Sequence, residues 1–156
     1  MDKKLVSSNQ SAKVALTKSK SLLKIVNSIK NNTETWKDKD TGLIWEIKSS
    51  ENIDEIYTYD EAVSYVQNLN IIKFGGINNW EIPNINVLET LSTQELNNNL
   101  YIKKILSENS DWAYWSSTII EENKSYVYYY NYGEKRLEFQ NFKCYLRCVS
   151  RGKCNE

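Results

Sequence analysis

The residues of this chain that could do chemistry are scattered carboxylates, three thiols and a dense set of aromatics, and their spacing points to binding rather than bond breaking. There is no His to act as a base at neutral pH, no Gly-x-Ser-x-Gly elbow and no phosphate-binding glycine loop. The acidic pairs Asp54-Glu55, Asp60-Glu61 and Glu121-Glu122 are adjacent in sequence. Such pairs usually decorate solvated faces and do not set the carboxylate separation a glycosidase needs. Cys144, Cys148 and Cys154 offer three thiolates and no fourth ligand, which argues against zinc. Asp38 and Asp40 suggest the start of a calcium loop, but an EF-hand needs ligands continuing to a Glu, and Leu43 and Ile44 end the polar run. The expectation is a protein with no catalytic residue, no metal and no cofactor.

The aromatics carry the binding potential. Residues 126–132 form a run whose tyrosines a strand would split over two faces, so some must lie near solvent, where an aromatic with a polar tip makes a good contact. Tyr128, Tyr130, Arg136 and Arg147 are the expected ligand contacts. A second binding element precedes them in the chain. Over residues 5–29, Leu5, Ser8, Ala12, Ala15, Ser19, Leu22, Val26 and Ile29 follow alternating steps of three and four, an amphipathic helical stripe. Only its C-terminal half is strongly apolar, so alone in water it is a marginal helix that needs a surface. Two readings stand: a helix lying on its own domain, or a docking or self-association helix in which Leu22, Val26 and Ile29 pack while Lys20 and Lys24 meet an acidic protein partner. Nucleic acid is not expected, since neither an aromatic nor an Arg is interleaved among those lysines.

The elements that must position these residues read as α+β. Residues 36–46 form a hairpin with Asp38-Lys39-Asp40-Thr41-Gly42 as its turn. Thr58-Tyr59-Asp60-Glu61 is a capping box, followed at helical spacing by Ala62, Tyr65, Val66 and Leu69. Gly75-Gly76 breaks the chain, and Pro83-Asn84 opens a second helix bearing Val87, Leu88 and Leu91. After Trp115 the period becomes two: strands over 125–132 and 135–140 flank Gly133-Glu134, and 143–151 reads as a closing strand. On that strand Cys144, Leu146 and Cys148 face the core, and Tyr145, Arg147, Val149 and Arg151 face away.

A chain of 156 residues is one domain plus an appendage: a basic arm and linker over 1–34, the domain over 35–152 and a short tail over 153–156. Its 20 basic and 20 acidic residues balance, so no global field recruits nucleic acid or an anionic membrane. The balance hides an asymmetry, because residues 1–30 carry a net charge of +6 and the remainder −6. No apolar run approaches the ~18 residues of a membrane span, and the start lacks a signal-peptide apolar core. Cys144 and Cys148 on one strand would sit about 13 Å apart, beyond the roughly 7 Å limit for a disulfide. An odd set of cysteines in the last thirteen residues suits a reducing cytoplasm. A secreted or surface location is the alternative if Met1 is not the native start.

Four patches in fixed order carry a resemblance: Thr41-Gly42-Leu43-Ile44-Trp45, Asn79-Trp80-Glu81-Ile82-Pro83, Tyr114-Trp115-Ser116-Ser117-Thr118 and Leu146-Arg147-Cys148-Val149. Together they resemble the Lcl C-terminal domain family (DUF1566), over roughly residues 36–152. The resemblance implies a C-type-lectin-like fold, related to the formylglycine-generating-enzyme scaffold, with two helices and antiparallel strands, in a family used mainly for binding and adhesion. It implies a protein-binding or glycan-binding module, with a secreted glycan-binding adhesin as the alternative reading. Two positions depart from the pattern. Glu81 stands where Arg is usual, and Val66 stands where a helix Cys would bridge to Cys148. The Glu81-Ile82-Pro83-Asn84 string is similar to a sugar-binding motif of calcium lectins, but the inserted Ile82 disrupts it. The related oxidising enzymes use a cysteine pair or a histidine-based iron site within the domain, and this chain has neither arrangement.

Overall fold

The computed structural model describes residues 35–152. The arm residues Leu22, Val26, Ile29, Lys20 and Lys24, and Cys154 in the tail, lie outside the described residues. The domain is α+β, and every strand pairing within its sheets is antiparallel.

It opens with the hairpin of β1 (Thr35–Lys37) and β2 (Ile44–Glu46). The turn is held at its root by Asp38, whose backbone N–H donates to Leu43 O at 2.8 Å. The Asp38 carboxylate accepts from Asp40 N–H at 3.2 Å and from Thr41 Oγ1 at 2.9 Å. Gly42 reverses the chain at φ +74°, a conformation that disfavours any Cβ. Helix α1 (Tyr59–Ile71) starts at the capping box: Thr58 Oγ1 accepts from Glu61 N–H at 3.3 Å, and Glu61 Oε2 accepts from Thr58 N–H at 2.8 Å. It buries Ala62, Val66 and Leu69. Gly75 follows, at φ +59°, where a Cβ would stand 2.7 Å from Thr35 Cγ2. Helix α2 (Ile85–Glu89) is capped by the Asn84 side chain.

A hairpin not foreseen from sequence comes next, β3 (Ser92–Asn97) and β4 (Leu100–Ile102), followed by the one-turn α3 (Lys104–Ser107). Its turn is Asn98-Asn99, both at positive φ. Three α-helices are therefore present among the described residues rather than two. The second sheet is a meander of β5 (Ala113–Glu121), β6 (Lys124–Tyr129) and β7 (Glu134–Phe139). The chain closes with β8 (Val149–Ser150), which pairs with β2 and completes the order β1-β2-β8. The expected closing strand over 143–151 is thus only partly a strand. Before Val149 the segment touches its neighbours through single bridges, Cys144 to Tyr57 and Tyr145 to Tyr114.

The start of β5 and most of β6 are covered on both faces of their sheet. Trp115, Val127 and Tyr129 meet Ala62, Val66, Leu69, Trp80, Cys144, Leu146 and Cys148 on one side. Tyr114 and Tyr128 meet Trp45, Leu88, Leu91, Ile102, Leu106 and Val149 on the other. The closing segment lies between those two clusters. Arg147 and Val149, expected on an outward face, are each 1% exposed for that reason.

Candidate recognition surface

The motif residues build a frame before they build a surface. In the Tyr-Trp-Ser-Ser-Thr stretch, Tyr114 and Trp115 fill opposite cores, and Trp115 Nε1 donates to Tyr57 O at 2.7 Å. Ser117 N–H then donates to Pro83 O at 2.9 Å, and Thr118 Oγ1 accepts from Ile85 N–H at 3.0 Å, so one strand seats the start of α2. Glu81 pairs its backbone with Val149 in both directions while its side chain lies exposed, 3.8 Å from Arg151. A Glu is tolerated there because its backbone does the joining.

Two buried charges lock the hairpin to the closing segment. Glu46 is fully enclosed and accepts from Lys48 Nζ at 2.8 Å, from the Tyr65 hydroxyl and from Cys148 N–H at 3.0 Å. Burial opposes its charge, but Lys48 and these donors outweigh burial and hold its pKa below the ordinary 4.5. Arg147 donates to Glu46 O at 2.6 Å, to Asn109 O and to Ser110 Oγ, with its guanidinium 5.7 Å from the Tyr114 ring. Asp38 binds Lys103 Nζ at 3.0 Å, so its carboxylate already has a cation. Burial pushes the Cys144 thiol up to about 12 and the Cys148 thiol well above its ordinary range, which makes both inert small hydrophobes.

The expected contact residues therefore divide. Tyr128 is 4% exposed and packs at 4.7 Å on Tyr130, and the Tyr130 hydroxyl donates to Leu88 O at 2.8 Å. Arg147 is enclosed as described. These three have no surface to offer a ligand, because Tyr128 on β6, Tyr130 in the turn after it and Arg147 in the closing segment are all covered by other segments. Arg136, on the edge strand β7, is exposed.

Around Arg136 the structure assembles a patch that sequence reasoning located only in part. The guanidinium lies 5.1 Å from the Tyr129 ring and 4.8 Å from the Tyr132 ring, and Nε donates to Glu134 at 2.6 Å. Tyr129 adjoins Trp112 at 5.7 Å, and Trp112 adjoins Tyr145 at 6.2 Å. Trp112 is 44% exposed and Tyr132 60% exposed. The backbone beneath is anchored: Tyr130 N–H donates to Trp112 O at 2.7 Å, and Asp111 N–H donates to the Tyr114 hydroxyl at 2.7 Å. Burial, with the Asp111 carboxylate beside it, pushes the Tyr145 hydroxyl up to about 12. The signal that could have found this patch is position: Trp112 precedes β5 and Tyr132 follows β6, and strand ends escape the two cores.

A concavity of about 660 Å³ opens beside α1 between Glu55, Tyr57, Asp60, Glu61 and Tyr65. Most of its polar groups are engaged, Glu55 by the Tyr57 hydroxyl, Glu61 in the capping box and Tyr65 at Glu46. Among the described residues no helix is long and apolar enough to cross a membrane.

The model of one protein family, the Lcl C-terminal domain, matches residues 34–150. Comparison with curated proteins and with solved structures finds no match.

Proposed function

The chain belongs to the Lcl C-terminal domain family, and from that premise we propose that it is a non-catalytic recognition module binding a protein partner through the Trp112–Tyr129–Tyr132–Arg136 patch. One observation carries the reading: an exposed Trp, an exposed Tyr and an Arg stacked on two rings lie together on an anchored frame. Trp, Tyr and Arg are the side chains that dominate binding hot spots, and pre-ordered ones lose little entropy on binding. A C-type-lectin-like scaffold is supported by the pairing of the first hairpin with the last strand, with helices and a separate meander between them. The basic arm supplies the second contact in this reading, with Leu22, Val26 and Ile29 docking the module to a larger assembly and Lys20 and Lys24 facing its acidic surface. A cytoplasmic setting is supported by the buried, unpaired Cys144 and Cys148.

The test compares the parent with Trp112→Ala/Tyr132→Ala and with Leu22→Asp/Val26→Asp, using affinity capture from the native source and a glycan array. The patch variant should lose the captured protein with its melting temperature nearly unchanged, and the arm variant should lose the larger assembly while the domain still melts as before. Capture that survives the patch variant overturns the patch assignment. Glycan binding lost in that variant replaces the protein partner with a sugar, for which the exposed Trp112 face beside Asp111 is the favouring feature.

A further inference from the structure

Among the described residues, strand β7 ends the β5–β6–β7 sheet with its outer side unpaired. Gln140 N–H donates to Asn123 O at 2.8 Å, and that bond sets the phase of the β6–β7 ladder. Residues 134, 136 and 138 turn their backbone groups toward β6, while Lys135 and Leu137 turn theirs outward. Among the described residues, no backbone bond beyond the sheet takes up the groups of Lys135 and Leu137. An unpaired edge is a template for another strand, and edges that avoid pairing use charges that repel or a covering loop.

The charges of this edge do the reverse of repelling when a second copy approaches antiparallel. Outward residues must face outward residues, so the two-fold axis has to pass through a residue pair. Centred on Arg136, it sets Arg136 against Arg136 and Glu134 against Glu138. Centred on Glu138, it sets Glu138 against Glu138. Centred on Leu137, it sets Leu137 against Leu137, each Arg136 against a Glu138, and each Lys135 against a Phe139. Opposite charges and cation–aromatic pairs directly across strands stabilise, and like charges destabilise. Phe139, 53% exposed, and the half-buried Leu137 would be covered in the last register, which alone of the three sets no like charges against each other. We propose that β7 is a self-pairing edge through which two copies of this chain join, in the register centred on Leu137, into a continuous six-stranded sheet. Arg136 uses Nε and Nη2 on Glu134 of its own strand, which leaves Nη1 of its guanidinium to meet Glu138 of the second copy.

Sedimentation equilibrium of the full chain tests this. The parent should show a concentration-dependent monomer–dimer equilibrium. Arg136→Glu and Glu138→Arg should each weaken it roughly tenfold or more, because the axis counts every reversed pair twice, and the combined exchange should restore it. Glu138 also accepts the Tyr129 hydroxyl at 2.8 Å, so Glu138→Arg is read beside its melting temperature. Leu137→Pro gives a second route, since it removes an outward N–H while the ladder to β6 stays intact. A parent that is monomeric at every concentration overturns the proposal, as does a dimer indifferent to Arg136→Glu and Leu137→Pro.

Discussion

Trp115 and Trp112 lie three residues apart and do opposite work, which makes them the sharpest pair at the residue scale. Trp115 is fully buried, its edge meeting Tyr59 at 5.8 Å and its Nε1 bonded to Tyr57 O. Trp115→Ala should therefore cost about 3 to 5 kcal/mol in urea unfolding, by cavity formation. Trp112→Ala, a surface truncation, should stay within about 0.5 kcal/mol. A Trp115→Ala protein that unfolds like the parent would move that residue out of the core. The motif pattern singles out Trp115, Trp80 and Trp45 together, and all three prove buried. Arg147 belongs to the same group. Its charge suggested a ligand contact, yet a guanidinium can also close a core when carbonyl oxygens such as Glu46 O and Asn109 O converge on it.

Elements were legible where local chemistry specifies them. The capping box of α1 is complete, each partner accepting from the other's N–H, so Thr58→Ala should cost about 1 kcal/mol. The check is a urea melt beside Thr58→Ser, which keeps the hydroxyl and should return to the parent value. Failure of Ser to rescue would place the Thr58 contribution in packing instead. The β1–β2 hairpin was equally readable from the Asp-rich turn at Gly42, and the β6–β7 hairpin from the reversal at Gly133, although β6 stops at Tyr129 instead of running to residue 132 and Glu134 already belongs to β7. The β3–β4 hairpin was not. Ser92–Asn97 has no apolar alternation, and its Asn98-Asn99 turn lacks the glycine that marks most tight hairpins. Its strands exist because Leu100 and Ile102 find the Trp45–Leu88 cluster, a condition met far away in sequence.

At the scale of the whole molecule, two depressed carboxylates tie stability to pH. Burial of Glu46 is outweighed by Lys48 and its other donors, and burial of Asp38 by Lys103 and Thr41, so both folded pKa values lie below their ordinary 4.5 and 3.8. A folded pKa below the unfolded one contributes stability that is fully present above the ordinary carboxylate range. That contribution is lost as pH falls through the depressed folded values. Unfolding free energy should thus be flat near neutrality and fall on acidification. Glu46→Gln should lower the neutral plateau and flatten the acid limb. Parallel curves for parent and variant would show that Glu46 is not the group responsible.

Residue order alone establishes the family motifs, the two longer helix starts, the α+β class and the opposition of charge between residues 1–30 and the rest, because each rests on neighbours within a turn or a strand. It also shows that the tyrosines of residues 126–132 alternate between two faces. Which face meets water is a property of what other segments cover. Here α1 and the closing segment seal one side while α2, β4 and α3 help seal the other. Tyr128, Tyr130 and Arg147 became framework for that reason, and the exposed aromatics moved to the strand ends at Trp112 and Tyr132. The unpaired side of β7 is settled in the same way, since no sequence signal reports that a sheet stops.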